Sequence, residues 1–227
     1  VSFFPQLVAG PIEKASNLLP QLKEEHRFTY ENASWGAKLM AWGFFKKMVV
    51  ADQLAILIVD PVYQNLGSYE GGILGLATCA FAFQIYCDFG GYSNIAIGAA
   101  QVMGVRLMDN FRQPFLARSI QDFWRRWHIS LSTWFRDYLY FPLGGSRKGT
   151  GRAIANNMAV FLVSGLWHGA GWHFILWGGL HGLYQGAGRL TLPVRRRIRG
   201  ALGISEENPV CRLAAWAFTF SLVAFAF

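Results

Sequence analysis

Apolar residues in this chain fall in long blocks, and the charges are gathered into short segments between them. Residues 35–59 are apolar except for Lys38, Lys46, Lys47, Asp52 and Gln53. At about 1.5 Å rise per residue the run is long enough to cross about 30 Å of hydrocarbon. Its central lysines leave three readings open: snorkelling to the interface, facing a cavity, or an interfacial helix. Residues 71–105 hold one acid, Asp88, and exceed a single span. They predict two short passes or a helix broken at Gly90-Gly91, with Asp88 capping the break, orienting a histidine, coordinating a cation or carrying a proton. A last apolar run begins near Leu213.

Residues 156–188 contain no acid, lysine or arginine, but three histidines. Positive charge flanks the run on both sides, at 147–152 and 189–199. The positive-inside rule therefore assigns both flanks to the cytoplasm. One straight span cannot begin and end on the same side, so the pattern predicts an antiparallel pair or two half-helices turning at Gly169-Ala170-Gly171. Broken helices at membrane depth are tolerated only where they line protein or a water-filled cavity. His168 is thus expected beside such a cavity.

The remaining segments are shorter. Pro5 and Pro11 prevent one helix over 1–12 and suggest a bent, re-entrant piece. Residues 13–34 read as a polar connection with short helical character. Within the basic stretch 106–152, Trp124, Trp127, Leu131, Trp134, Phe135 and Tyr138 recur at helical spacing and predict an amphipathic helix over 120–140. Such a helix suits the membrane interface. A flexible basic loop is expected over 144–151. Together these features predict an all-α, polytopic membrane bundle with broken or re-entrant helices around a central cavity. The whole of 1–227 reads as a single membrane-embedded domain, truncated at both ends.

Composition supports this reading. Hydrophobic residues make up 53% and charged residues 15% of the chain, against about 25% charged in a soluble domain. The net charge of +8 comes with no nucleic-acid recognition motif, so no nucleic-acid partner is expected. Three cysteines without CxxC spacing give no metal or redox signal.

Among candidate chemical groups, His168 stands first. It follows Trp167 and precedes small residues that allow close approach. A neutral imidazole there can act as general base, taking the proton from a hydroxyl to make an acyl acceptor. His128 shares a helix face with Trp124, Leu131, Ser132 and Phe135, which points it into the protein. Ser132 as a nucleophile lacks a GxSxG context. His168, His173 and His181 lack the spacing and the carboxylate expected of a metal set, so no metal is expected. Arg147 and Lys148 lack a phosphate-loop motif; a solvated topogenic loop or phosphate contact are both open.

The order of these motifs resembles the membrane-bound O-acyltransferase family over roughly residues 1–190. The segments that carry the resemblance are Phe3–Ile12, Tyr86–Asn94, Asp122–Leu131 with its continuation to Tyr138, and Gly165–Gly169. Asn94 and Gly90 depart from the acid and serine expected there. The wording of 110–145 is most similar to the bacterial alginate O-acetylation-like branch. The resemblance implies an inner-membrane, multi-pass O-acetyltransferase in which His168 is essential and His128 lies toward the cytoplasmic mouth. It also implies acetyl-CoA as acyl donor, no tightly bound cofactor, and membrane lipid around the chain. A periplasmic or extracellular partner would pass the acyl group to a polysaccharide. D-alanyl transfer to teichoic acid is the nearest rival, and a non-catalytic channel or transporter is the rival from another class.

Overall fold

The polar stretch after the Pro-rich N-terminus forms one short helix, α1 (Ala15–Lys23). The computed structural model describes residues 3–7, 9–203, 205 and 207–227, so Val8 of the Pro-rich motif lies outside it. Among the described residues the structure is helical, without strands. The chain divides into two compact units, Val1–Phe111 and Arg112–Phe227.

In the first unit, the Thr29 hydroxyl accepts from the Asn32 amide at 3.2 Å and caps a long helix. This helix, α2, runs through 30–64 and widens into π-helical turns over Phe45–Ala51 and Ala55–Val59. It pairs with α3 (Gly71–Val102), a single helix of 32 residues. The break expected at Gly90-Gly91 is therefore absent. Gly91 instead allows backbone contact: a Cβ there would meet the Gly43 carbonyl at 2.7 Å, and one at Gly43 would meet the Gly91 carbonyl at 2.6 Å. Gly36 and Gly98 repeat the arrangement two turns along. Small residues of this kind are the usual means of close helix packing in membranes.

Lys46 and Lys47 of α2 turn toward α3. Lys47 lies 2.7 Å from Asp52 and 2.6 Å from Asp88. Lys46 donates to Asn94 at 3.2 Å and sits over the Tyr86 ring. Asp88 is thus an ion-pair partner across the two helices and not the cap of a broken one. Leu18, Ala100, Val105 and Leu107 close a small core at the far end of α3.

The second unit begins with two short helices, α4 (Ile120–Arg126) and α5 (Ile129–Phe135), the latter passing into a π-helical turn over Arg136–Tyr140. The periodicity over 120–140 is real, but the helix is interrupted at His128. Next come α6 (Gly149–His168), α7 (Trp172–Ala201) and α8 (Pro209–Ala226). The segment before α6 is tied down, since Asn156 Nδ2 donates to the carbonyls of Leu143 at 3.1 Å and Gly145 at 2.9 Å. Helix α6 also starts at Gly149, inside the stretch expected to be a flexible loop.

Helices α6 and α7 form the antiparallel pair that the flanking charges require, turning at Gly169-Ala170-Gly171. Gly165 lies against the Phe174 carbonyl and Gly178 against the Phe161 carbonyl, so neither position has room for a Cβ. The core of this unit is aromatic: Phe123 stacks on Trp127 at 5.4 Å, and Phe115 meets Phe220 of α8 edge-on at 5.5 Å. The Trp216 indole fixes α8 by donating to the Phe115 carbonyl at 2.7 Å. Helices α3 and α8 are each long and apolar enough to cross a membrane. Exposed Leu76 on α3 and exposed Phe218 and Phe225 on α8 supply apolar surface suited to lipid.

Candidate active site

His168 closes the last turn of α6. Its Nδ1 lies 2.7 Å from the Ser164 carbonyl oxygen. A carbonyl can only accept, so Nδ1 carries the proton and donates it. In the neutral ring Nε2 is then left with a lone pair. The ring is held by aromatic neighbours, with the centroids of Trp167 and Trp177 each 5.0 Å away. His168 is exposed in this chain, so an incoming group can reach it. A fixed tautomer with an accessible acceptor nitrogen is what a general base requires.

His128 is reached differently. It is 6% exposed and has a left-handed backbone, φ 43° and ψ 54°. That conformation costs a non-glycine residue about 1–2 kcal/mol. The interruption is stabilised because its carbonyls find partners outside a regular helix. The Arg112 amide donates to the Arg126 carbonyl at 2.9 Å and the Ser132 hydroxyl to the Trp127 carbonyl at 3.3 Å, while the His128 carbonyl opens α5 by accepting from the Ser132 amide at 2.9 Å. The break turns the His128 ring toward Trp167, 6.3 Å between centroids. Both histidines singled out by sequence therefore converge on one indole. Burial, and secondarily the His168 ring, hold the His128 imidazole below its ordinary pKa. Ser132 spends its hydroxyl on the Trp127 carbonyl, which gives it a structural task.

His181 carries a signal that the sequence did not. It is fully buried, and its Nδ1 accepts from the Trp124 indole at 3.3 Å. That contact puts the ring proton on Nε2, which has no hydrogen-bond partner among the described residues. Trp177 lies 5.1 Å from His181 and 5.0 Å from His168, so the two rings share a wall. No group of three potential metal ligands gathers among the described residues.

A cavity of ≈480 Å³ lies beside these groups, lined by Trp124, Leu131, Ser132, Phe135, Phe161 and Ser164 among others. Ser164 is the residue whose carbonyl holds His168. Apolar and aromatic side chains share its wall with polar ones, Arg125, Arg136, Thr133 and Asn157 among them.

The chain belongs to the membrane-bound O-acyltransferase family, whose model matches residues 1–221. It is similar to the probable alginate O-acetylase of Pseudomonas putida, 42% identical over 98% of this chain and 43% of that protein. It is 39% identical to the peptidoglycan O-acetyltransferase of Helicobacter pylori, over 100% of this chain and 42% of the relative. The teichoic acid D-alanyltransferase of Streptococcus thermophilus is 31% identical over 80% of this chain and 46% of its own length. The chain thus spans about two-fifths of the length of these O-acetylating relatives.

Proposed function

We propose that this chain is part of an inner-membrane, multi-pass O-acyltransferase, forming with the rest of its protein one membrane-embedded domain that moves acetyl groups to an extracytoplasmic glycan. The observation that carries the proposal is the convergence of His128 and His168 on Trp167, with the His168 tautomer set by Ser164. In the reaction, His168 Nε2 takes the proton from an acceptor hydroxyl as its oxygen attacks the thioester carbonyl. The C–S bond then breaks, and the departing thiolate takes the proton back from the imidazolium. Neutral His128 borders the site and supplies no charge to it. The donor is acetyl-CoA entering from the cytoplasmic side. The acceptor is a sugar hydroxyl, or a serine on a periplasmic partner that completes transfer to the polysaccharide. Identity to O-acetylating relatives at 39–42%, against 31% to the D-alanyl transferase, favours acetyl over D-alanyl transfer.

The test compares O-acetyl ester in cell-envelope and exopolysaccharide glycans for the complete protein and its His168→Ala variant at matched membrane levels. Loss of ester, by a factor of at least about 10², is expected for removal of a general base. Unchanged ester would remove His168 from the chemistry or acetylation from the function.

A further inference from the structure

Aromatic side chains surround the buried imidazole of His181 on α7: Trp124, Phe161, Trp177, Tyr184 and Phe227, with ring centroids 5.0 to 6.3 Å away. As a filler of such a cage histidine is a poor choice, because its Nε2–H lies buried without an acceptor among the described residues. A buried donor left unsatisfied costs stability, and leucine or phenylalanine would carry no such cost. What imidazole offers in their place is an acceptor at Nδ1. An indole N–H can only donate, and that of Trp124 reaches Nδ1 at 3.3 Å.

That bond joins the two segments that carry the site. Trp124 stands on α4, just before the break at His128, and His181 stands on α7, whose partner α6 ends in His168. The seam between α4 and α7 continues at Gln121, which donates from Nε2 to the Gln185 carbonyl at 3.3 Å. Gly188 follows on the same face, where a Cβ would meet Gln121 Nε2 at 2.8 Å. Trp177 stands between the parts, its ring 5.7 Å from Trp124, 5.1 Å from His181 and 5.0 Å from His168. Trp124 also lines the ≈480 Å³ cavity that reaches Ser164. Freed of its acceptor, the indole would have to turn into that cavity to find another, and Trp177 would lose the ring that supports it. We propose that His181 is a positioning residue of the transfer site: its Nδ1 holds the Trp124 indole, and so keeps the His128 segment and the wall of His168 in register. This rests on the acyl-transfer reading above.

The test uses the complete protein and two nearly isosteric substitutions. In H181N the amide oxygen stands where Nδ1 stood and can accept, whereas H181L has the same branched shape and no acceptor. The initial rate of O-acetyl ester formation after induction is compared at matched levels of folded membrane protein. It is expected to be at least about tenfold lower in H181L than in H181N, since a small misplacement at a reacting centre costs that much or more. W124F keeps a ring and removes the donor, so it should fall like H181L, and on the W124F background H181N and H181L should be equal. A second readout needs no turnover. The hydrogen-bond-sensitive indole band in ultraviolet resonance Raman spectra, taken as a difference from W124F, should report a bonded Trp124 in wild type and H181N and a free one in H181L. Equal ester rates in H181N and H181L, a W124F rate equal to wild type, or one indole band in all three proteins overturns the assignment. Ester formation indifferent to His168→Ala sinks the transfer reading instead, whatever the indole band reports. Loss of ester in His168→Ala with H181N and H181L alike keeps that reading and sinks this one.

Discussion

The imidazole of His128 is neutral in the folded chain because burial, and then the nearby His168 ring, disfavour its charged form. In the unfolded chain the same ring takes up a proton below about pH 6.5. The unfolded state then binds more protons, so this contribution to stability is present above about pH 6.5 and is lost as the pH falls. Thermal unfolding of the purified protein between pH 8 and 5 should therefore show a smaller acid loss in His128→Asn than in wild type; identical slopes would contradict it. Asn is chosen because it tolerates the left-handed backbone at this position. His128→Ala lacks that tolerance and should unfold at lower temperature than His128→Asn at pH 8, where the charge effect is absent. The motif singled out His128, but its geometry was not legible there. The aromatic repeat continues across the break at a spacing of three and four, and what interrupts the helix is a set of tertiary hydrogen bonds, chiefly Arg112 to the Arg126 carbonyl.

Glycines decide how the elements pack, and they were the hardest residues to read. Gly90-Gly91 looks like a break because glycine in mid-helix costs about 1 kcal/mol relative to alanine. That cost is offset where the missing Cβ lets two backbones touch, and the partner of Gly91, Gly43, lies about fifty residues away in sequence on α2, beyond the reach of any local pattern. The α6–α7 turn was legible because charge on both flanks constrains topology directly. The packing argument makes a contrast that can be measured. Gly43→Ala and Gly91→Ala should each destabilise the protein by about 1–3 kcal/mol, since a Cβ at either meets opposing backbone. Gly75→Ala, on the same α3 with nothing within 4 Å, should be neutral or stabilising by up to about 1 kcal/mol. Unfolding midpoints in detergent at fixed concentration check all three. Equal effects at positions 43, 75 and 91 would show that helix propensity, and not close packing, governs these sites.

At the scale of the whole molecule, the arginines of 189–199 bear on topology. Any cluster flanking an apolar run orients the chain in the membrane. Only the fold shows that Arg189, Arg195, Arg196 and Arg199 share a cavity with Arg118 and Arg125, some seventy residues earlier. Helix α6 begins just after Arg147 and Lys148, and α7 ends among arginines, so in an antiparallel pair both charged ends lie on one side. At about 1.5 Å per residue, the 20 residues of α6 reach about 30 Å, enough to carry the His168 turn deep into or across the hydrocarbon. Single cysteines at exposed Thr150 and Gly200, in a background with Cys79, Cys87 and Cys211 replaced, report on this directly. In intact cells both should resist a membrane-impermeant thiol reagent, and both should react once the inner membrane is opened. Labelling of one position and not the other in intact cells would separate the ends of α6 and α7 across the bilayer. That result would take apart the hairpin that holds His168.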